Sequence, residues 1–221
     1  LYDYYKHRIP GDRLSLVPII VDFARFRHLN GKPSLPMRVG YIGSFGAKDG
    51  VPGIIGAFQQ ARASFPDLRL RLIGHADEAA SEQLHHAAYQ ASGVEFIGQV
   101  FYRNIPDYLY SCDLLVVNRP DTAYANYGFP TKLGEYLATG RPALVTNVGD
   151  VKQYLTNDKH ALIAEPDDPD QLAEAIVRRY RFYQFYSDVG LAGMDLCKET
   201  FDYQAHVVTL QKIIAGTVGQ A

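Results

Sequence analysis

Six short apolar runs, separated by longer amphipathic stretches, constrain the fold of this 221-residue chain more than any other feature of its sequence. The runs cover residues 37–42, 68–73, 94–97, 114–117, 143–146 and 161–164. Each has the length and the predominantly apolar character of a buried strand of a parallel sheet. Between the first two runs, apolar residues recur at helical spacing, which predicts a helix that covers the sheet: Val51, Ile54, Ile55, Phe58 and Ala61.

Further helices are predicted over residues 78–91, 105–110 and 131–139, and the chain is mostly helical by pattern from Pro169 to about Gly216. The alternation of strands and helices predicts an α/β fold with a Rossmann-like, doubly wound and mostly parallel sheet, followed by C-terminal helices. Ligands of such sheets bind outside the carboxyl ends of the strands. The loops that follow the predicted strands are therefore the places to look for a site.

Composition narrows the classes of function. The formal net charge of −2 argues against a nucleic-acid binder, which carries a basic excess on one face. No apolar run approaches the roughly 20 residues of a membrane-spanning helix. Cys112 and Cys197 match no metal spacing, and we expect them to be buried, reduced thiols of a cytoplasmic protein. The chain begins with Leu1 rather than methionine, which suggests a piece of a longer polypeptide.

The segment 126–142, NYGFPTKLGEYLATGRP, predicts an anion site at this edge of the sheet. It follows the predicted strand 114–117 and combines a Gly/Pro loop, a short helix and a Gly-Arg-Pro stop. Gly128 permits close backbone approach, and Pro130 suits a helix start. Free amides of the first helical turn, together with the helix dipole, favour an anionic group there.

Two charged residues of this predicted helix, Lys132 and Glu135, share one of its faces. From there the lysine can reach a diphosphate, and the glutamate can accept hydrogen bonds from the two hydroxyls of a ribose. The alternative is a simple surface pair between them, worth only about 0.2–0.5 kcal/mol.

A second loop, 43–50, follows the first predicted core strand and opens a helix. Its glycines permit backbone approach to an anion, and Lys48 lies close to them. The loop has neither the GxGxxG order of a dinucleotide fingerprint nor the Gly-Lys-Ser/Thr end of a P-loop. An ordinary strand-to-helix turn with a solvated lysine is the alternative.

Taken together, the motifs resemble the donor-binding, carboxyl-terminal half of retaining glycosyltransferases of the family 4, or group 1, type, which have the GT-B fold. The matching segments, in order, are 18–22, 43–50, 72–74, 96–100, 112–117 and 130–142. The resemblance implies a nucleotide-sugar substrate and an acceptor-binding half that precedes this one. It implies neither a cofactor nor a metal. It divides the chain into an interdomain segment or tail of the missing half (1–36), the nucleotide-sugar domain (37–200) and a helix that returns towards the missing half (201–221).

The resemblance also assigns roles to individual residues. Glu135 matches the second glutamate of the family's E-x7-E motif, which binds the donor ribose. The loop 98–102 matches the segment that holds the base, and the amides that open the helix after Pro130 fall where diphosphate is bound. The donor-binding residues implied are Gly43, Ser44, Phe45, Lys48, Gly98, Val100, Tyr102, Tyr127, Gly128, Phe129, Pro130, Thr131, Lys132, Leu133 and Glu135.

Three of these positions depart from the family's pattern. Tyr127 stands where the first glutamate of E-x7-E contacts the donor sugar. Ser44 replaces the usual arginine of the first loop, and Lys48 comes one residue before the usual lysine. Our hypothesis is that Lys132 supplies the positive charge instead, so that reversing its charge weakens diphosphate binding far more than reversing that of Lys48.

Two remaining motifs have plain structural interpretations. Asp168, Pro169 and Gln171 fit the N-cap, N1 and N3 positions of a helix, so the Asp-x-Asp sequence there needs no metal. The run 178–186 interleaves arginines with aromatic residues. We expect its aromatics to pack on the domain and its arginines to face solvent; the alternative is contact with a membrane surface, which would make the protein peripheral.

The sequence therefore predicts a nucleotide-sugar-dependent glycosyltransferase. Two alternatives stay open: a non-catalytic nucleotide or sugar-nucleotide binding module on the same fold, and a GT-B sugar-nucleotide epimerase. The base, uridine or guanosine, the sugar and the acceptor are not specified by these residues.

Overall fold

The computed structural model describes residues 2–26, 36–75 and 91–218. Within these residues, six parallel strands form one sheet in the order β3-β2-β1-β4-β5-β6. The strands are β1 (Arg38–Ser44), β2 (Arg69–His75), β3 (Val94–Gly98), β4 (Leu114–Val117), β5 (Ala143–Thr146) and β6 (Leu162–Ala164). The predicted α/β class and parallel sheet are confirmed, and the strand order is that of a Rossmann fold.

The described helices, numbered in chain order, are α1 (Tyr2–Tyr5), α2 (Val51–Ser64), α3 (Ile105–Tyr110), α4 (Ala123–Asn126), α5 (Thr131–Ala138), α6 (Val151–Tyr154), α7 (Pro169–Arg181), α8 (Tyr183–Thr200) and α9 (Val207–Val218). The predicted helices at 105–110 and 131–139 and the helical C-terminal part are confirmed. The predicted helix 78–91 lies outside the described residues except at its last position. None of the described helices is both long and apolar enough to cross a membrane.

Alternate residues of the central strands pack on opposite faces of the sheet. On β4, Leu114 and Val116 join the core under α2 and α7, whereas Leu115 and Val117 join the core under α5. This alternation explains why β4 is a continuous apolar run, since both faces of the sheet at this strand are covered by helices.

The segment before residue 27 packs on the core beneath α5. The backbone of Val21 accepts from Tyr203 N at 3.0 Å and donates to Phe201 O at 2.8 Å, and the side chains of Phe23 and Phe26 are buried in that core. Residues from both ends of the described chain thus lie together beside α5. The domain boundaries at residues 36 and 200 stay a prediction.

Helix α7 begins as the sequence predicts: Asp168 accepts a hydrogen bond from the Gln171 amide at 2.9 Å. The expectation for the run 178–186 was partly wrong. Arg179 is fully buried rather than solvated, and it donates to the backbone oxygens of Asp113 and Tyr183. These two carbonyls offset the cost of burying the guanidinium, which the sequence pattern alone does not reveal.

Both cysteines are free and buried, as predicted. Burial raises the pKa of the Cys112 thiol to about 11 and that of Cys197 to about 12. Buried, protonated thiols of this kind are poor nucleophiles, so we assign them to the core rather than to chemistry.

The sheet opens between β1 and β4, where the strand order reverses. The two strands pair only at Val39–Leu114 and Gly40–Leu115, although β1 runs on to Ser44. Ile42 therefore has no β4 partner, and the buried phenol of Tyr136 on α5 takes that place. The Tyr136 hydroxyl accepts from Ile42 N at 2.8 Å and donates to Ile42 O at 3.2 Å. This bond fixes α5 beside the opening, where ligands of such folds bind.

Candidate functional site

The start of α5 lies at the carboxyl edge of the sheet and has no side-chain cap. Its N-cap is Pro130, which offers no side-chain acceptor to the first amides. The resemblance implies that the amides of Thr131, Lys132 and Leu133 bind the diphosphate. The Leu133 amide, however, already donates to Pro130 O at 3.0 Å and is not available to a ligand. The amides of Thr131 and Lys132, together with the helix dipole, leave a local electropositive end that suits an anion.

Two pockets meet at this helix start, and Thr131 and Lys132 line both of them. The first pocket, of about 360 Å³, is lined by Ile20, Val21, Asp22, Arg25, Ile42, Gly43, Tyr102, Ile105, Thr131, Lys132 and Glu135. The second, also of about 360 Å³, is lined by Lys48, Asp49, Val117, Arg119, Tyr124, Tyr127, Gly128, Phe129, Pro130, Thr131 and Lys132. An extended ligand can therefore lie across the helix end with one part in each pocket.

In the first pocket, Glu135 is held by an arginine of the N-terminal segment. Arg25 Nη1 lies 3.2 Å from Glu135 Oε1. The same guanidinium stacks over the Tyr102 ring at 3.8 Å and donates to the Tyr102 hydroxyl and, at 3.0 Å, to its backbone oxygen. Glu135 thus faces the pocket as predicted, but its carboxylate is already bonded.

Lys132 is also paired, though with a residue far away in the sequence. Its ammonium group donates to Asp49 Oδ1 and to the Tyr41 hydroxyl, each at 2.6 Å. Burial lowers the pKa of Lys132, and Asp49 opposes that effect. A Cβ at Gly43 would stand 2.6 Å from the Lys132 nitrogen, so glycine makes room for the lysine. The surface pair between Lys132 and Glu135 is not formed, because each has another partner.

Ser44, at the position of the family's arginine, donates to Asp49 Oδ2 at 2.9 Å. The serine therefore helps to orient the carboxylate that holds Lys132. Lys48 is exposed and lines the second pocket, where its ammonium lies 5.9 Å from the centre of the Tyr124 ring. Ser44 of the first loop thus bonds Asp49, whereas Lys48 of the same loop lines the second pocket.

Arg119 is a pocket residue that the sequence reasoning missed. It lies just beyond β4, at the edge where ligands bind, yet its neighbours Asn118 and Pro120 make the segment resemble an ordinary loop. Its position two residues beyond a buried strand was the signal that could have identified it.

The geometry holds Arg119 firmly. Its backbone nitrogen donates to the Thr146 hydroxyl at 2.8 Å, and that hydroxyl donates to the Arg119 carbonyl at 2.9 Å. Its Nη1 donates to Gly128 O at 2.8 Å. The residue is only 8% exposed, so its backbone and one end of its guanidinium are fixed while the group lines the pocket.

The other predicted site residues divide into pocket residues and core residues. Tyr102 and Gly43 line the first pocket, and Tyr127, Gly128, Phe129 and Pro130 line the second. Tyr127 is 68% exposed. The side chains of Phe45 and Leu133 are buried and Val100 packs against the core, so these residues face away from both pockets. Gly98 ends β3 in a left-handed conformation with φ 78°.

Among the residues that the structure describes, no group of three or more His, Cys, Asp or Glu side chains is arranged to hold a metal ion. The polar groups around the helix start are instead amides and cations, which suit an anionic ligand.

A family model, described as "Glycosyl transferases group 1", matches residues 36–181, which are about two thirds of the chain and include all six strands of the sheet and the whole lining of the second pocket. The chain belongs to this family. The match also covers the lining of the first pocket except for Ile20, Val21, Asp22 and Arg25, so most of the site described above lies within the matched residues.

Individual relatives agree with this assignment. An uncharacterized glycosyltransferase of Methanocaldococcus jannaschii is 22% identical over 173 residues, which are 78% of this chain and 46% of the relative. HepE of Anabaena, solved with UDP and glucose, superposes with a TM-score of 0.73 and 19% identity over 91% of this chain and 55% of HepE. This group 1 chain thus spans about half the length of each of these two proteins.

A third similarity concerns a structure of comparable size. The C-terminal domain of the group 1 glycosyltransferase LpcC of Francisella tularensis superposes with a TM-score of 0.64 and 18% identity over 84% of this chain and 95% of that domain. At such identities the likeness shows the fold, which is that of one half of a GT-B glycosyltransferase. The fold expected from the resemblance is therefore confirmed.

Proposed function

We propose that this chain is the donor-binding half of a retaining glycosyltransferase, which transfers a sugar from a nucleoside diphosphate sugar to an acceptor bound by a further part of the protein. The observation that carries the proposal is the pair of pockets that meet at the start of α5 and share Thr131 and Lys132. A nucleotide sugar has a matching order of parts, because its diphosphate lies between the nucleoside and the sugar.

The nucleoside is assigned to the first pocket. Glu135 lines it with a carboxylate that can accept hydrogen bonds from the two hydroxyls of a ribose. In the absence of ligand this carboxylate is bonded to Arg25. Binding of the ribose would therefore exchange a partly exposed ion pair for hydrogen bonds to the sugar hydroxyls.

The diphosphate is assigned to the helix start. The amides of Thr131 and Lys132 and the positive end of the helix dipole are fixed there before the ligand arrives. Donors that are preorganised in this way stabilise the charge that develops on a leaving diphosphate. We therefore expect transfer without a bound divalent cation.

Two kinds of observation support a nucleotide sugar as the ligand. The chain is a member of the group 1 glycosyltransferases, and HepE, which shares its fold, was solved with UDP and with UDP-glucose. These structures make UDP the first nucleotide to test, with GDP second. We expect the chain alone to bind nucleotide and to transfer no sugar, because we propose that the acceptor binds to a further part of the protein.

Isothermal titration calorimetry of the chain with UDP and with GDP tests the proposal. We expect one of them to bind, and Glu135→Gln to weaken that binding at least about ten-fold, since a ribose bonded to a charged acceptor contributes about 1.5–3 kcal/mol. Glu174→Gln, which removes the same charge from an exposed position of α7, is the matched control and should leave binding unchanged. Failure of both nucleotides to bind would contradict the proposal and would favour a module without a nucleotide site.

A further inference from the structure

The second pocket is rich in positive charge. Three cationic side chains line it, those of Lys48, Arg119 and Lys132, together with one carboxylate, that of Asp49. The whole chain is slightly acidic, with a net charge of −2. The positive charge is therefore concentrated locally, within one pocket of about 360 Å³.

The single carboxylate, that of Asp49, does not neutralise all three cations, because it is already bonded to other groups. Asp49 is buried, accepts from Lys132 at 2.6 Å and from the Ser44 hydroxyl at 2.9 Å. It therefore compensates Lys132. In the part of the chain that the structure describes, neither Arg119 nor Lys48 forms an ion pair with a carboxylate.

Arg119 is the more informative of these two cations, because a charged group in a buried position needs compensation. The residue is 8% exposed, and its one side-chain hydrogen bond within the described residues goes to a neutral backbone oxygen, Gly128 O. The remaining N–H groups of the guanidinium are thus left for a ligand of the pocket. Guanidinium groups bind carboxylates and phosphates with two parallel hydrogen bonds.

The aromatic wall of the pocket adds no negative charge. Lys48 and Arg119 lie 5.9 and 6.0 Å from the centre of the Tyr124 ring, on which both cations converge. Tyr127, at the position where the sequence pattern of the family has a glutamate, is an exposed neutral side chain of the same pocket. A ligand group in this pocket therefore meets two uncompensated cations and no free carboxylate among the described residues.

The order of parts in a nucleotide sugar indicates which group that is. With the nucleoside in the pocket of Glu135 and the diphosphate at the amides of Thr131 and Lys132, the transferred sugar falls in the second pocket. We propose that this sugar is acidic, with a carboxylate bound by Arg119 and Lys48, so that the donor is a nucleoside diphosphate hexuronate. This inference rests on the proposed function and adds to it the chemical class of the donor sugar.

Calorimetric titration of the full chain with matched donors tests the inference. The probes are UDP-glucose and UDP-glucuronate, or GDP-mannose and GDP-mannuronate if GDP is the nucleotide that binds. Within each pair the two sugars differ in the oxidation of one carbon, so their affinities report on the carboxylate. We expect the hexuronate to bind at least about ten-fold more tightly than the hexose, because hydrogen bonds between charged groups are stronger than those between neutral groups.

Substitutions then assign the preference to residues. Arg119→Gln should abolish it by weakening the hexuronate alone, Arg119→Lys should keep part of it, and Lys48→Gln should reduce it. Lys48 is exposed, so its variant reports on the pocket even if Arg119→Gln fails to fold. Arg181→Gln, which removes one positive charge from an exposed position of α7, is the control and should leave the preference intact.

The outcomes separate this inference from the function on which it rests. Equal affinity of the wild-type protein for the hexose donor and the hexuronate donor would overturn the proposal that the sugar is acidic. It would not contradict the proposed nucleotide-sugar site. Equal loss of both donors in Arg119→Gln would also overturn it, since Arg119 would then serve the diphosphate. Absence of binding by UDP and GDP would overturn both proposals together.

Discussion

Replacement of Tyr136 by phenylalanine should destabilise the protein by about 2–3 kcal/mol, although the ring and its packing are kept. The Tyr136 hydroxyl accepts from Ile42 N at 2.8 Å and donates to Ile42 O at 3.2 Å. Both residues are buried. Without the hydroxyl, the Ile42 amide is left with no partner on that side of β1, because β4 pairs with β1 only at Val39 and Gly40.

The magnitude follows from these two bonds. A buried donor that loses its acceptor costs about 1–3 kcal/mol, and the longer bond to Ile42 O adds less. For a chain of this size, each kcal/mol lowers the Tm by about 2–4 °C. We therefore expect Tyr136→Phe to lower the Tm by about 4–12 °C. Burial also raises the pKa of Tyr136, so the hydroxyl stays protonated and the effect should not change across neutral pH.

Urea unfolding followed by far-UV circular dichroism is the suitable assay, because the chain has no tryptophan to serve as a fluorescent probe. Tyr180→Phe is the matched control: that hydroxyl bonds only the Asp67 carboxylate at the surface and should matter by less than about 0.5 kcal/mol. A Tyr136→Phe variant as stable as this control would refute the view that the phenol replaces a strand partner at the opening of the sheet.

Three further predictions follow from contacts near the site. Arg25→Gln frees Glu135 from a partly exposed ion pair worth about 0.2–1 kcal/mol, so it should tighten nucleotide binding about 1.5- to 5-fold by calorimetry; weaker binding would show that Arg25 contacts the ligand instead. Thr146→Val removes both hydrogen bonds to the Arg119 backbone and should cost about 2 kcal/mol in urea unfolding, whereas a neutral effect would mean that the loop is held in another way. Burial raises the pKa of Cys112 to about 11 from an ordinary value of 9.0, so above pH 9 the unfolded chain releases this proton first and the free energy of unfolding falls by up to about 1.4 kcal/mol per pH unit. Urea titrations between about pH 8.5 and 10.5 should show a shallower fall for Cys112→Ala, and parallel curves would contradict the burial argument.

Local sequence pattern was sufficient for the elements that position the site. The runs 114–117 and 143–146 coincide with β4 and β5, because short, mostly apolar runs between polar turns are typical of strands with both faces covered. The N-cap of α7 could also be predicted from the sequence, because the Asp168 carboxylate and the Gln171 amide that donates to it are only three residues apart.

Contacts between residues that are far apart in the sequence could not be predicted from local sequence pattern. Lys132 and Asp49 are 83 residues apart, and Arg25 and Glu135 are 110 apart, so the ion pairs of both predicted site residues depend on how the fold brings these segments together. Arg179 shows the same limit, since its burial depends on carbonyls that only the fold supplies. Periodicity identifies the elements, whereas pairing across the crevice is a property of the assembled molecule.

The position of Val21 between Phe201 and Tyr203 has a practical consequence for anyone who trims this protein. A fragment that starts where the family match starts, at residue 36, would keep every strand of the sheet. It would nevertheless lose Ile20, Val21, Asp22 and Arg25, which form one wall of the first pocket, and would expose the surface that Phe23 and Phe26 cover. Such a truncation would be expected to fold poorly and to hold a nucleotide on one side only, so a negative binding result with it would say nothing about the intact molecule.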